Sequence, residues 1–232
     1  MYITIVTLFP EMFEGSLTES ILKRAQDQKI VTISFVHIRD FAKDKHKSVD
    51  DRPYGGGPGM ILRVDVVDEA LTHAKSLHPN VTTRSILLDP QGTLYSQQKA
   101  KQLSSFEHLI LLCGHYEGVD ERIRALVDEE ISIGDYILTC GEIPAMVLTD
   151  SIVRLLPGTL KKEGVTTNES FSGPIPLLEY PQYTTPQTYK GNSVPDVLLS
   201  GHHAHIGTWK QKEAQKRTTL RRRDLITEQT DP

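Results

Sequence analysis

An α/β fold with a largely parallel sheet is what this chain predicts, and three observations carry the expectation. Apolar, strand-like runs alternate with amphipathic helical stretches from the first residue to about residue 155. Two of the strands, Leu109–Cys113 and Glu130–Ile133, break directly into segments dense in glycine and small polar groups. After Pro157-Gly158 the texture changes to irregular and then helix-forming sequence, which sets a smaller second part off from the first.

The elements follow in order. Tyr2–Leu8 alternates and is rich in β-branched residues, which predicts a strand. Pro10 opens a helix whose apolar residues Met12, Phe13, Leu17, Ile21, Leu22 and Ala25 fall near the 3.6-residue period. Ile30–Ile38 is a strand, Arg39–Met60 a long polar loop, and Asp65–Leu77 an amphipathic helix. Arg84–Leu88 is a strand, and Ser96 caps a helix to Ser104. Leu109–Cys113 is a strand, Asp120–Val127 a helix, Glu130–Ile133 a strand and Glu142–Leu155 a helix. Thr159–Ser172 lacks apolar periodicity and reads as a linker, while Gly173–Val194 is proline-rich and irregular. Gly201–Ile226 is helix-forming, with Ile206 and Trp209 as its expected buried side. The expected division is an α/β domain over 1–160, a linker over 161–174 and a small helical domain over 175–232.

Length and composition fit a globular protein of 232 residues. No apolar run approaches the length of a membrane span, and the start reads as a core strand with no signal-peptide pattern. The expected location is the cytoplasm, with no membrane association. Two cysteines, Cys113 and Cys140, without a CxxC pair support neither zinc ligation nor a disulfide framework, so no metal site is expected. Net charge is −4, with the acidic excess in residues 1–160. Trp209–Arg223 is strongly basic through Lys210, Lys212, Lys216, Arg217, Arg221, Arg222 and Arg223. Such a patch could meet phosphate, although on charge alone a solvated helix face is the favoured reading.

The common nucleotide signatures are absent. No Gly-x-x-x-x-Gly-Lys-Ser/Thr occurs, and the first strand runs into Phe9-Pro10-Glu11 where a dinucleotide fold would place its glycine fingerprint. Pro53–Met60 is glycine-rich and suits a loop that closes over a substrate. His202, His203 and His205 lack neighbouring carboxylates or thiols and read as a helix entry, not as a metal set. The two glycine-dense strand ends, expected to belong to neighbouring strands, are the clearest functional feature, a cradle of backbone groups for a small polar ligand.

Five segments in order carry a resemblance. They are Arg52-Pro-Tyr-Gly-Gly-Gly-Pro-Gly-Met60, Cys113-Gly-His-Tyr-Glu-Gly118, Ile131-Ser-Ile-Gly-Asp-Tyr136, Leu138-Thr-Cys-Gly-Glu-Ile-Pro-Ala-Met146 and Val197-Leu-Leu-Ser-Gly-His202. The chain resembles the bacterial tRNA (guanine-N1)-methyltransferases of the SPOUT superfamily, from Met1 to about Ile226. The resemblance implies a trefoil knot in the α/β domain, which ordinary connection rules would not suggest. It implies S-adenosylmethionine as methyl donor and transfer to N1 of guanosine 37, in the anticodon stem-loop of tRNA. It also implies a homodimer with an active site shared between subunits, and it leaves a magnesium requirement open.

By motif match the donor is held by Leu88, Pro90 and Gly92, by Cys113, Gly114, Tyr116 and Glu117, and by Ser132, Ile133, Gly134, Tyr136, Leu138, Cys140, Gly141 and Pro144. Glu169 is implied as the general base and Arg154 as the cation facing guanine O6. RNA contacts are implied for Arg52, Tyr54, Gly55, Gly56, Gly57, His202, Arg217, Arg221 and Arg222. The family usually carries aspartate where Glu169 stands and glycine where Cys140 stands. Taken alone, Arg154 is a helix-terminal cation and Glu169 an ordinary loop acid. Two rivals remain: an RNA methyltransferase of the same superfamily aimed at another position, such as a ribose hydroxyl, and a binding protein that has lost catalysis.

Overall fold

The computed structural model describes residues 1–162 and 164–227, so the end of the expected helical domain, 228–232, lies outside the described residues. In chain order, β1 (Tyr2–Thr7) leads through a 3-10 turn at Pro10–Phe13 to α1 (Ser20–Asp27) and β2 (Thr32–His37). A short antiparallel pair, β3 (Asp50–Asp51) and β4 (Ile61–Leu62), brackets the glycine-rich loop, and α2 (Val64–Ser76) follows. β5 (Thr83–Leu94), α3 (Gln97–Leu103), β6 (His108–Cys113), a 3-10 turn at Glu121–Leu126, β7 (Glu129–Ser132) and α4 (Glu142–Val153) complete a first unit, Met1–Lys161. A second unit from Lys162 onward holds β8 (Thr188–Tyr189), β9 (Asn192–Ser193), α5 (Asp196–Leu199), α6 (His203–Arg221) and α7 (Asp224–Thr227). The segment expected as a linker groups with this second unit.

The five long strands form one parallel sheet in the order β2-β1-β6-β5-β7. Alternation along each strand sends side chains to two cores. Ile3 and Ile5 of β1, Leu109 and Leu111 of β6 and Ile86 of β5 pack with α1, α3 and α4 residues such as Leu22, Leu103, Leu148 and Ile152. Val6, Ile110, Leu112 and Leu87 point the other way and pack with Val66, Val67, Ala70 and Leu71 of α2. β6 is buried along its whole length, as a parallel strand covered on both faces must be. Each fully buried Leu or Ile contributes about 1.5–3 kcal/mol, so the two clusters position the strand ends that carry the site.

Several expectations are corrected. The predicted continuous helix from Pro10 is interrupted: Gly15 and Ser20 adopt positive φ, 83° and 54°, which breaks the chain into a turn and a short helix while keeping the apolar faces in register. Asp120–Val127 forms a tighter 3-10 turn, not an α-helix. The two glycine-ended strands are not neighbours, since β5 lies between β6 and β7. β5 itself runs beyond Leu88 to Leu94, with a register shift between Leu88 and Thr93 against β7. The polar loop 39–60 contains a 3-10 turn and one strand of the β3–β4 pair. The irregular segment holds the β8–β9 hairpin, turned by Lys190 and Gly191 at positive φ. Along α6 the buried residues are Ala214 and Thr218, with Ile206 and Trp209 only half-buried, and the helix stops at Arg221.

Candidate active site

The irregular stretch of β5 after Leu88 and the C-terminal ends of β6 and β7 open into one cavity of about 350 Å³ in the first unit. This is where open parallel sheets place their ligands. Leu88 and Pro90 form one side; Gly114, Tyr116 and Glu117 the second; Ser132, Ile133, Gly134, Tyr136 and Leu138 the third. Cys140, Gly141 and Pro144 close it at the start of α4. Two of the residues expected here lie behind the wall instead. Gly92 passes against the β7 backbone, where an added Cβ would stand 2.5 Å from the Glu130 carbonyl carbon. Cys113 is buried in the core beneath Gly141.

Backbone proximity shapes the cavity. The Gly141 N–H donates to Gly114 O at 2.8 Å, and a Cβ on Gly141 would meet Gly114 N at 2.6 Å and Cys113 Cα at 2.8 Å. No side chain fits between these two loops. Gly134 takes φ 153° with the Tyr136 ring folded across it, and the Tyr136 hydroxyl donates to Ile133 O at 3.2 Å. The wall thus presents backbone groups and an aromatic face, the mix a small polar cofactor requires.

Side chains missed by the motif match also line the cavity: Asp89, Gln91, His115, Ile137 and Thr139. Asp89 and Gln91 stand beside Pro90 in Asp-Pro-Gln-Gly, so adjacency was the available signal. His115 packs between Phe9 and Tyr116, and its Nδ1 is buried with no hydrogen-bond partner among the described residues. Behind the cavity, burial first, then the nearby Glu142 and Cys140, push the Cys113 thiol well above its ordinary range, so this sulfur is an inert packing group. Burial likewise raises the Tyr116 phenol.

The glycine-rich loop is fastened to the same wall. Glu117 N–H donates to Met60 O at 3.0 Å and Leu62 N–H to Gly118 O at 3.0 Å. Gly59 faces Glu117 so closely that a Cβ would lie 2.8 Å from its Oε1. Arg52, Tyr54, Gly55, Gly56 and Gly57 form the exposed tip of this loop, with the Tyr54 side chain fully in solvent. Arg154 is the half-buried C-cap of α4, its N–H donating to Asp150 O at 3.1 Å.

The second unit has a cavity of its own, about 490 Å³, with Glu169, Glu179, Tyr180 and Lys210 in its wall. The Glu169 carbonyl accepts from the Ser172 hydroxyl at 2.6 Å, and the Lys210 ammonium stands 4.4 Å from the Tyr180 ring centroid. His202 caps α6 and contacts the His205 ring, as expected for a helix entry. Arg217 is half-buried and Arg221 exposed on α6; Arg222 pairs with Asp224 and lies over Phe171. Among the described residues no group of three His, Cys, Asp or Glu side chains is placed to hold a metal, and no helix is long and apolar enough to cross a membrane.

A parallel α/β unit with a glycine-built cavity at its strand ends defines a small-cofactor-binding protein of a non-Rossmann kind. The family model described as tRNA (Guanine-1)-methyltransferase TrmD matches residues 1–228. The chain belongs to that family, and it is a methyltransferase. Curated relatives named tRNA (guanine-N(1)-)-methyltransferase include that of Geobacillus kaustophilus, 55% identical across 98% of this chain and 92% of the relative. Those of Carboxydothermus hydrogenoformans and Bacillus pumilus are 53% and 54% identical, each across 97% of this chain and across 87% and 92% of the relative.

Proposed function

We propose that the protein moves a methyl group from S-adenosylmethionine to N1 of guanosine 37 in tRNA, in the cytoplasm. The observation that carries this reading is the convergence of the family motifs of β5, β6 and β7 on one cavity. The cavity fits the donor on its own features. Its volume suits a small cofactor, Gly141 and Gly114 leave backbone where a side chain would fill the cradle, and His115 Nδ1 awaits a polar partner. When bound, S-adenosylmethionine supplies an electrophilic methyl group carried on cationic sulfur. Tyr136, Ile133 and Leu138 would wall its apolar parts, and the backbone about Gly114, Gly134 and Gly141 would take its polar ones.

Guanine N1 carries a proton and is a poor nucleophile until that proton leaves. In this reading the Glu169 carboxylate accepts the N1 proton, and the Arg154 guanidinium meets the charge that spreads onto O6. General-base help of this kind is worth about 10²–10⁴-fold, and a preorganised cation at the developing oxyanion acts on the same barrier. Arg52, Tyr54 and the glycine loop, with His202, Arg217, Arg221 and Arg222, would hold the RNA backbone and splayed bases.

Catalysis would require a homodimer. α4 is mostly apolar, its Ile143 and Val147 stay exposed, and it packs against the 3-10 turn Pro10–Phe13, whose Met12 is exposed as well. A helix of that kind needs cover, and a second copy would supply it while placing Glu169 of one subunit opposite Arg154 of the other. We further read the crossings at Gly92 and Gly141 as the threaded part of a trefoil knot. Nucleoside analysis of tRNA after incubation with labelled donor tests the reaction. N1-methylguanosine is the expected product; a ribose-methylated nucleoside would contradict the base chemistry, and no product would favour a non-catalytic RNA binder.

A further inference from the structure

Arg124 is a long cation in an unusual setting. Its side chain is only 17% exposed and meets three carboxylates from three segments. Nε donates to Glu121 Oε2 at 2.9 Å within its own 3-10 turn, Nη1 pairs with Glu130 of β7, and Nη2 lies 3.4 Å from Asp89 Oδ2. Asp89 is 9% exposed, and its second oxygen accepts the Gln91 N–H at 2.8 Å. Neighbouring Glu129 is served separately, by Arg84 and Lys99.

The segment that Arg124 grips is the reversal Asp89–Gly92. Before it, Leu88 pairs with Ile131; after it, Thr93 pairs with the same Ile131 and Leu94 with Ser132. Between these two pairings the chain crosses β7 at Gly92 with no room for a Cβ. Asp89, Pro90 and Gln91 form one wall of the cofactor cavity. Arg124 therefore stands behind that wall and ties it to β7.

An exposed ion pair would contribute little. Glu121 is exposed, but Arg124, Asp89 and Glu130 are mostly buried, and removing the cation leaves the Asp89 and Glu130 carboxylates without their counter-charge in a poorly solvated place. The reversal would yield first, because it has no regular ladder across residues 89–92. Asp89 itself is occupied by the Gln91 N–H and Arg124, so its service to the cavity is to hold shape.

We propose that Arg124 is a positioning residue for the cofactor cavity, fixing the Asp89–Gln91 wall through Asp89 and Glu130 and so setting affinity for the methyl donor. The inference rests on the reading of that cavity as the S-adenosylmethionine site. Titration calorimetry on the full chain, with S-adenosylmethionine and S-adenosylhomocysteine as probes, tests it far below the unfolding temperature. Arg124→Ala should weaken both ligands about tenfold or more, leave kcat at saturating donor nearly unchanged, and speed amide exchange at 89–92 selectively. Arg124→Lys should restore part of the affinity, and Arg122→Ala, which removes the exposed pair with Asp120, should change neither. Should Arg124→Ala fail to fold, Arg124→Lys and Glu130→Gln carry the same comparison with smaller expected losses. Donor affinity and 89–92 exchange equal to the unaltered protein would overturn the inference. Failure of the unaltered protein to bind either probe would overturn the cavity reading itself.

Discussion

The hydroxyl of Thr7 donates to Oε1 of Glu142 at 2.6 Å, across 135 positions of sequence and wholly inside the protein. The Thr7 hydroxyl oxygen in turn accepts the Phe9 N–H at 2.9 Å. One threonine thus joins the end of β1 to the first turn of α4, directly behind the loops that Gly141 and Gly114 bring together. The second carboxyl oxygen, Oε2, is buried without a partner among the described residues. Among the described residues, the Thr7 bond is therefore the one that holds this carboxyl in place.

Replacing Thr7 by valine keeps the shape and removes the donor. A buried group left unsatisfied costs about 1–3 kcal/mol, so Thr7→Val should lower urea-unfolding stability by that amount while Thr7→Ser retains most of it. Equal stability of Thr7→Val and the parent would mean that Oε1 finds another partner.

His108 gives the fold a pH dependence. It is fully buried, its Nε2 2.9 Å from the Thr4 hydroxyl and its ring edge-on to His78. Burial, then the charge of His78, lower its pKa from the ordinary 6.5 to about 4. The unfolded chain binds the proton more readily, so this stability is complete above about pH 6.5 and is lost as pH falls towards 4. The loss should be on the order of 2–3 kcal/mol. Denaturant melts at pH 7 and pH 5 would measure it, with the slope reduced in His108→Gln.

Glycine substitutions should separate close approach from mere flexibility. Gly141→Ala forces a Cβ onto the Gly114 and Cys113 backbone, which should cost about 1–3 kcal/mol and abolish tight donor binding. Gly207→Ala in α6 meets nothing within 4 Å. It should stabilise by about 0.5–1 kcal/mol. Thermal melts of both variants, with donor titration of the first, would check the contrast.

The exposed face of α4 predicts assembly. Val147→Asp places a charge on the face of α4 that leaves Ile143 and Val147 exposed. Light scattering should then find monomers without methyl transfer but with a folded sheet by circular dichroism. A dimer of unchanged activity would remove α4 from the interface.

Much of the first unit was legible because its signals are local. The fully apolar run Leu109–Cys113 announces a strand covered on both faces, and the 3.6-residue spacing of Val66, Val67, Ala70, Leu71 and Ala74 announces α2. The helix from Pro10 was misread because a 3-10 turn and Gly15 preserve the apolar spacing through a break in the backbone. Strand order was not legible, since β5 enters between β6 and β7 by long-range pairing that leaves no periodic trace. The cavity's glycines stood out through composition, whereas Arg124 did not: its three partners lie on separate segments, and only folding gathers them. Gly92 and Cys113 belong to the right motifs but support the wall from behind, a distinction that spacing cannot make.

The most direct test of the account is single-turnover methyl transfer to two tRNA transcripts, one with guanosine and one with adenosine at position 37, by the parent and by Glu169→Gln. The account predicts N1-methylguanosine on the guanosine transcript alone, with the rate lowered about 10²–10⁴-fold in the variant and donor affinity unchanged. Equal rates in parent and variant, or methylation of both transcripts, would contradict it.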